Sequence, residues 1–437
     1  MAPNPAIAQA VEQLGYRVTV GDVATQAGLN VNIAQTGLLA LASEAGGHLQ
    51  VADTGDLVYL FPQNFRAVLR NKFLRLRLKE WWQKIWRVLF YLIRISFGIL
   101  LLASIALIFV TIAVILIGIS SSSDSNDNSS SDRSGGGGGM IFMPNFWFGS
   151  DIFWFFDPGY DNRYNQEQLS SLPEQRRMNF LEAVFSFLFG DGNPNSDIED
   201  RRWYDIATVI RNNQGAVVAE QIAPYLDSIG EGFHREYEEY MLPVLTRFNG
   251  VPEVSPDGQI VYHFPELQTT ATARNSQPVE TYLQERRWLF SQADSGQILL
   301  SIGLGALNFV GALVLGSLLK GGIAAQLGGL VAFTNSIYWI LIGYGIAFLT
   351  VPLVRYFWIQ GRNRKIESRN QQREERVVLL HQADGDLQKK IAYAHKFAAQ
   401  NVIGREDLTY TTETDLLDQE SDRSDKIDQE WQRRLNQ

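Results

Sequence analysis

Hydrophobic positions along this chain fall into two regimes. Three stretches lose every charge: Ile95–Ile119 over 25 residues, then Ile298–Leu319 and Phe333–Val354 over 22 each. At 1.5 Å per residue such helices run about 33–37 Å, enough to cross a hydrocarbon core of about 30 Å with some tilt. Lys320–Ala332 between the last two is short and Gly-rich, and reads as the turn of a helical hairpin. Small residues recur four apart at Ser301/Gly305, Ala312/Gly316 and Gly343/Ala347, a spacing that lets helix backbones approach closely in lipid. No Asp, Glu, Lys, Arg or His lies inside the three runs. Ionisable groups at that depth usually mark ion or proton pathways, so ion-coupled transport is not expected.

The rest of the chain alternates helical and strand periods. Arg66–Arg94 holds nine basic residues against one acid, with apolar residues at roughly helical spacing. It predicts a basic amphipathic helix on the bilayer, with Trp81, Trp82 and Trp86 at headgroup depth and anionic lipid headgroups as partners. Arg355, Arg362, Arg364, Lys365, Arg369, Arg373 and Arg376 follow the third run. Basic flanks mark the cytoplasmic ends of spans, and three crossings cannot put both basic flanks on one side. Met140–Asp157, where eight of 18 residues are Phe or Trp, offers the return as a fourth crossing or a re-entrant segment. Ser120–Gly139 before it is a Ser/Asp/Asn linker ending in five glycines.

One repeat stands out. Val51-Ala-Asp-Thr-Gly-Asp-Leu-Val-Tyr-Leu-Phe-Pro62 matches Val254-Ser-Pro-Asp-Gly-Gln-Ile-Val-Tyr-His-Phe-Pro265 at a constant offset of 203, with six of 12 positions identical. Each copy reads as a hairpin turning at Gly55 or Gly258, with Tyr59 and Phe61, or Tyr262 and Phe264, on alternating core positions. Helical patterns precede each: Ile7–Leu14, Val20–Ala27 and Val31–Ala45 in the first, Asp205–Asn212, Ala219–Leu226 and Arg235–Phe248 in the second. Helices followed by a two-stranded wing predict a winged-helix unit. Such units often place the helix before the wing on DNA, yet Val31–Ala45 has no Lys or Arg and Arg235–Phe248 opens with Glu236, Glu238 and Glu239. Residues 158–294 carry 21 acids against 11 arginines and no lysine. That surface would repel a phosphate backbone, so the two units are expected to bind protein or to pack on each other, with the three glutamates as interaction residues.

Composition narrows the chemistry further. The 437 residues include no cysteine, which excludes thiolate metal sites, cysteine-ligated clusters and cysteine nucleophiles. Five histidines show no zinc-ligand spacing, and the net charge of −9 argues against bulk nucleic-acid binding. The opening 60 residues have no apolar core of a signal peptide. Asp191-Gly-Asn193-Pro-Asn195-Ser-Asp197 alternates oxygen ligands like a calcium loop, but Ser196 and Arg202 stand where Gly and Glu belong, so an Asx-rich turn is expected. His234 beside Glu236, Glu238 and Glu239 is a weak metal candidate. No catalytic group and no cofactor is assigned.

Met178–Asn195, Tyr240–Leu267 and Asp407-Leu-Thr-Tyr-Thr-Thr-Glu-Thr-Asp-Leu-Leu-Asp-Gln-Glu420 resemble a little-characterised multi-pass membrane protein family shared by cyanobacteria and chloroplasts. The resemblance implies a plasma or thylakoid membrane location and, by association, a role in photosynthetic membrane biogenesis. Plant members carry an iron–sulfur-cluster-biosynthesis label; the absence of cysteine argues against this chain holding such a cluster through thiolates.

The expectation is a polytopic α-helical membrane protein with two winged-helix-like (α+β) soluble modules. Residues 1–65 form the first module, 66–94 the interfacial helix, 95–119 the first span, 120–139 the linker and 140–157 the aromatic segment. A helix and the second module follow over 178–290, the other spans over 298–319 and 333–354, a cytoplasmic helical region over 355–420, and a frayed polar tail over 421–437. The expected function is a non-enzymatic scaffold or assembly factor whose partners are the bilayer and membrane protein complexes. A transporter or membrane enzyme with an intramembrane site, and a membrane-tethered DNA-binding regulator, are the alternatives.

Overall fold

The computed structural model describes residues 4–72, 74–123, 178–231, 236–273, 275–321, 326–382 and 385–435. The aromatic segment 140–157, linker residues 124–139 and His234 lie outside them. The chain divides into two compact units. One comprises Met1–Trp82, Pro194–Arg287 and Arg364–Gln437, the other Gln83–Asn193 and Trp288–Asn363. The molecule is mostly helical, with small sheets.

In the first unit, the first repeat runs α1 (Pro5–Gln13), β1 (Arg17–Thr19), α2 (Val20–Ala27), α3 (Val31–Ala45), β2 (His48–Ala52) and β3 (Leu57–Leu60), followed by α4 (Phe65–Lys72). Local chemistry sets these bounds. Thr19 and Asp22 form a reciprocal capping box on α2, and left-handed glycines end α2 at Gly28 and α3 at Gly46. The second repeat has the same order. It runs α7 (Ile198–Asn212), β4 (Ala216–Val217), α8 (Ala219–Ile222), a 3₁₀ turn at Ala223–Tyr225, α9 (Leu242–Phe248), β5 (Val251–Val254) and β6 (Ile260–His263). The offset of 203 extends beyond the matched segment. Asn249 takes the left-handed cap position of Gly46, and Gly250 packs on Phe264 as Gly47 packs on Phe61.

Two of the second repeat's helices are shorter than their sequence patterns, whereas α7 begins at Ile198, ahead of the expected Asp205–Asn212. Ala219–Leu226 is α-helical only to Ile222, because Pro224 removes a donor and favours a 3₁₀ turn. Arg235–Phe248 yields α9 only from Leu242, preceded by a 3₁₀ turn at Glu239–Met241 with Glu238 in a left-handed conformation. Pro243 in the first turn starts the helix there.

The repeats share one core. Ile7, Val11, Val23, Leu38, Leu41 and Phe65 of the first pack with Ile206, Ile210, Ile222, Phe248 and Phe264 of the second. The carboxylate of Asp22 on α2 pins the seam. Fully buried, it accepts from the Thr270 hydroxyl at 2.8 Å and the Ala271 amide at 2.9 Å, and pairs with Arg211 of α7.

The C-terminal part of this unit covers the wings. Residues 355–420 are not wholly helical, as the pattern suggested: Asn401–Val402 (β8) and Leu408–Thr411 (β9) are strands. α13 (Gly385–Ala394) packs through Leu387, Ile391 and Ala394 on Val218 and Val261 of the second repeat. β8 then pairs in parallel with β7 (Thr269–Thr270), and β9 adds antiparallel to the outer edge of β2. The sheets are therefore β1-β3-β2-β9 and β4-β6-β5, plus the two-stranded β7-β8. The tail, expected to fray, forms α14 (Leu416–Leu435), whose residues include neither Gly nor Pro.

Residues 277–286 form an extended strap held mainly by side chains. Asn212 brackets the backbone of Gln277, Asn195 that of Arg286 and Asn370 that of Glu285, each amide donating to the carbonyl and accepting from the N–H at 2.7–3.0 Å. The calcium-like loop is thereby explained as structure, because Asn195 is engaged with the strap. Burial by itself would raise the Glu285 carboxyl, but Arg369 and Arg373 outweigh it and hold the group below its usual range.

The second unit contains three helices long and apolar enough to cross a membrane. These belong to α5 (Leu74–Ser123), α11 (Ser295–Leu319) and α12 (Leu330–His381). α5 runs unbroken through the expected boundary at 94/95, since no Gly or Pro interrupts it before Gly98. Buried hydroxyls and one amide link the helices: Ser104 donates to Asn308 at 2.8 Å, and Thr111 meets Thr334 at 3.0 Å. Gly305 lies against Phe348 and Gly316 against Tyr338, as the small-residue spacing predicted, whereas Gly343 faces outward with open space beside it. α6 (Phe180–Phe189), grouped with the second module from sequence, instead buries Phe180, Val184, Phe187 and Leu188 among Leu101, Ile105 and Phe348. Its largely apolar surface accounts for that choice. Arg355 caps α6, donating to the carbonyls of Ser186 and Phe187 at 3.1 and 3.0 Å, and Asp191 just beyond pairs with Arg94.

Candidate functional site: an acidic cleft on the second repeat

The late start of α9 leaves Glu236 and Glu238, ahead of the 3₁₀ turn, beside α13. There they help line an open cleft of about 440 Å³, together with Glu220, Gly258, Ile260, Asp386 and Lys390. Lys390, almost wholly buried, holds it together. Its ammonium donates to both carboxylate oxygens of Glu220 at 2.9 Å and to Glu238 at 2.5 Å. The Tyr262 hydroxyl donates to the other oxygen of Glu238 at 2.8 Å. Burial, then the Glu238 charge, pushes the Tyr262 phenol well above its ordinary range, so it acts there as a fixed donor.

The three predicted glutamates therefore have different fates. Glu236 is exposed on the cleft rim, Glu238 is an internal ion-pair partner, and Glu239 is half-buried and opens the 3₁₀ turn. Four carboxylates (Glu220, Glu236, Glu238, Asp386) line the cleft against the Lys390 ammonium and that of Lys389, which pairs with Asp386 at 3.0 Å, so the cleft stays electronegative. Among the described residues, no group of three or more His, Asp or Glu side chains is arranged to hold a metal ion. Lys390 and Glu220, 170 residues apart, were not recognised from sequence. The only local hint was a lysine one helical turn after Asp386.

Trp81, Trp82 and Trp86 are exposed on α5, at 59, 58 and 52%. The helices that precede the two hairpins, α3 and α9, carry no available cation. α3 has no Lys or Arg, and its outer face shows Ile33 and Leu39. On α9, Arg247 donates twice to the Gly28 carbonyl, at 3.0 and 2.6 Å, and stacks on Trp203 at 4.4 Å.

A mostly helical chain with three potential membrane helices and an interlocked, repeat-built unit is thus defined. It is 38% identical over 441 residues to the uncharacterized chloroplastic protein At5g03900 of Arabidopsis thaliana, a match covering 98% of this chain and 81% of the plant protein. The chain belongs to the family of that plant protein. No protein-family model matches it, and no solved structure does.

Proposed function

We propose that this protein is a multi-pass integral membrane protein of a chloroplast or cyanobacterium-like membrane. Its first unit is a fused pair of winged-helix-like repeats that serves protein partners as a non-enzymatic scaffold or assembly factor. The helix–strand–helix–helix–strand–strand order of each repeat supports the winged-helix reading. Three apolar helices and a chloroplastic relative support the location.

One observation carries the choice of protein over DNA. The two helices in the DNA-reading position offer no free cation: α3 has none, and Arg247 of α9 is held by Gly28 and Trp203. Phosphate contacts supply most of the affinity of a DNA-binding protein, so this surface is built for something else.

Purification of the full chain in mild detergent should recover stoichiometric membrane-protein partners. A partner-free monomer across detergents would sink the scaffold reading. A mobility shift with duplex DNA at low salt, fading steeply as salt rises, would replace it with DNA binding.

A further inference from the structure

Within the second unit, Trp288 lies on the extended chain before α11, and Trp358 and Arg362 lie one turn apart on α12. The guanidinium of Arg362 is 4.8 Å from the ring centroid of Trp288 and 5.2 Å from that of Trp358, and the two rings meet edge to face at 5.4 Å. Asn363 fixes Trp288 in turn, accepting from its N–H at 2.8 Å and donating to its carbonyl at 2.9 Å. Both tryptophans are thus placed before any ligand arrives. Arg362 is exposed, and its N–H donors have no hydrogen-bond or ion-pair partner among the described residues.

With the ring centroids only 5.4 Å apart, both indoles pack on one side of the guanidinium, and this exposed group keeps its five donors in a fixed fork. That geometry suits bidentate binding of a tetrahedral oxyanion. The depth is equally telling. Arg362 stands two helical turns beyond Val354, where the apolar run of α12 ends, and exposed Val354, Phe357 and Leu289 flank the site. Tryptophan with arginine at the end of an apolar run is the arrangement of a membrane–water interface.

We infer that Arg362, packed against Trp288 and Trp358, is a binding site for the oxyanion headgroup of an anionic lipid. This rests on α12 crossing the membrane. It goes beyond general attraction to charge, because it assigns one guanidinium with a fixed orientation.

The test is reconstitution of the full-length protein, wild type, Arg362→Gln, Arg362→Lys and Arg364→Gln, into vesicles of phosphatidylcholine with and without phosphatidylglycerol. Carbonate resistance reports membrane integration, and lipid retained after repurification reports the site. Wild type should integrate in both vesicles and retain phosphatidylglycerol over phosphatidylcholine. Arg362→Gln should integrate equally but lose that preference about ten-fold, the scale of a lost charge-assisted hydrogen bond. Arg362→Lys should fall between. Arg364→Gln, exposed on another face of the helix, should match wild type. Normal integration with no preference, or an Arg362→Gln equal to wild type, overturns the site and leaves the membrane reading standing. Failure to integrate overturns both. Full competition by soluble inorganic phosphate keeps the oxyanion chemistry and overturns the lipid as its source.

Discussion

The two repeats share an order of elements and a hairpin, yet only the first repeat's sheet takes a fourth strand. In the first, Leu49 faces outward on β2: its N–H donates to the Thr412 hydroxyl and its carbonyl accepts from the Thr412 amide, both at 2.9 Å. At the same offset the second repeat has Pro252, on β5. Ala52 and Ser255, three residues further on, both bond inward across their hairpins, so Leu49 and Pro252 point the same way. Proline has no N–H to offer there and is confined to sheet edges, so β5 stays an edge while β2 becomes an inner strand. The second repeat is covered on its face instead, by α13 through the Lys390 ion pairs. Two matched hairpins thus diverge through one backbone donor.

The largest effect should come from the seam that makes the repeats one body. Asp22→Ala leaves Arg211 without its buried partner, and should cost about 3–5 kcal/mol in chemical denaturation followed by tryptophan fluorescence. Simultaneous loss of both repeats in one transition is the expected shape; separate transitions would show that they do not share a core. Next come the matched glycines. A Cβ at Gly250 would lie 2.6 Å from Leu245 and closer still to Phe264, against 2.9 Å from Phe61 at Gly47. Gly250→Ala should therefore cost about 2–3 kcal/mol and Gly47→Ala about 1–2, within the range for overpacking, and equal costs would break the comparison.

The edge itself can be exchanged. Leu49→Pro should free β9 at a cost of about 1–2 kcal/mol, seen as faster amide exchange over 408–411. Pro252→Leu should change stability by less than ~0.5 kcal/mol and increase concentration-dependent self-association, since it restores an exposed donor. Unchanged exchange in the first variant would show that the Leu49 donor does not set the edge.

A pH dependence should arise in the second repeat. Burial first, then Glu280 opposed by Arg201, pushes the Asp205 carboxyl up from 3.8 to about 6. A raised carboxyl binds its proton more tightly when folded, so stability is lost as pH rises from about 4 to about 6 and stays lower above that window. Asp205→Asn should gain roughly 1 kcal/mol at pH 8, after allowance for solvent screening, and nothing at pH 4. A gain of the same size at both pH values would assign the effect to packing.

Much of the frame was legible in the chain. The uncharged runs lie within long helices, and both hairpins appear where 12 matched residues put them. Caps at Thr19, Gly28 and Gly46 follow from residue type. Less legible was the fate of α6, whose Phe-rich sequence suits any apolar surface, and of the turn at Glu238, whose left-handed backbone no propensity favours. The cleft was half legible: its glutamates stood out as a run, but Lys390, which takes up Glu238, did not.

By itself the sequence determined the helices of the first repeat, which segments are apolar enough to cross a membrane, and where the two hairpins turn. These depend on period, charge and caps within a few residues of one another. Tertiary structure alone decided that Asp22 meets Arg211 across 189 residues, that β9 finds β2 rather than β5, and that Trp288 stacks on Arg362. Such pairings arise only when distant segments reach the same place, and buried charges and unpaired strand edges then select among the available partners.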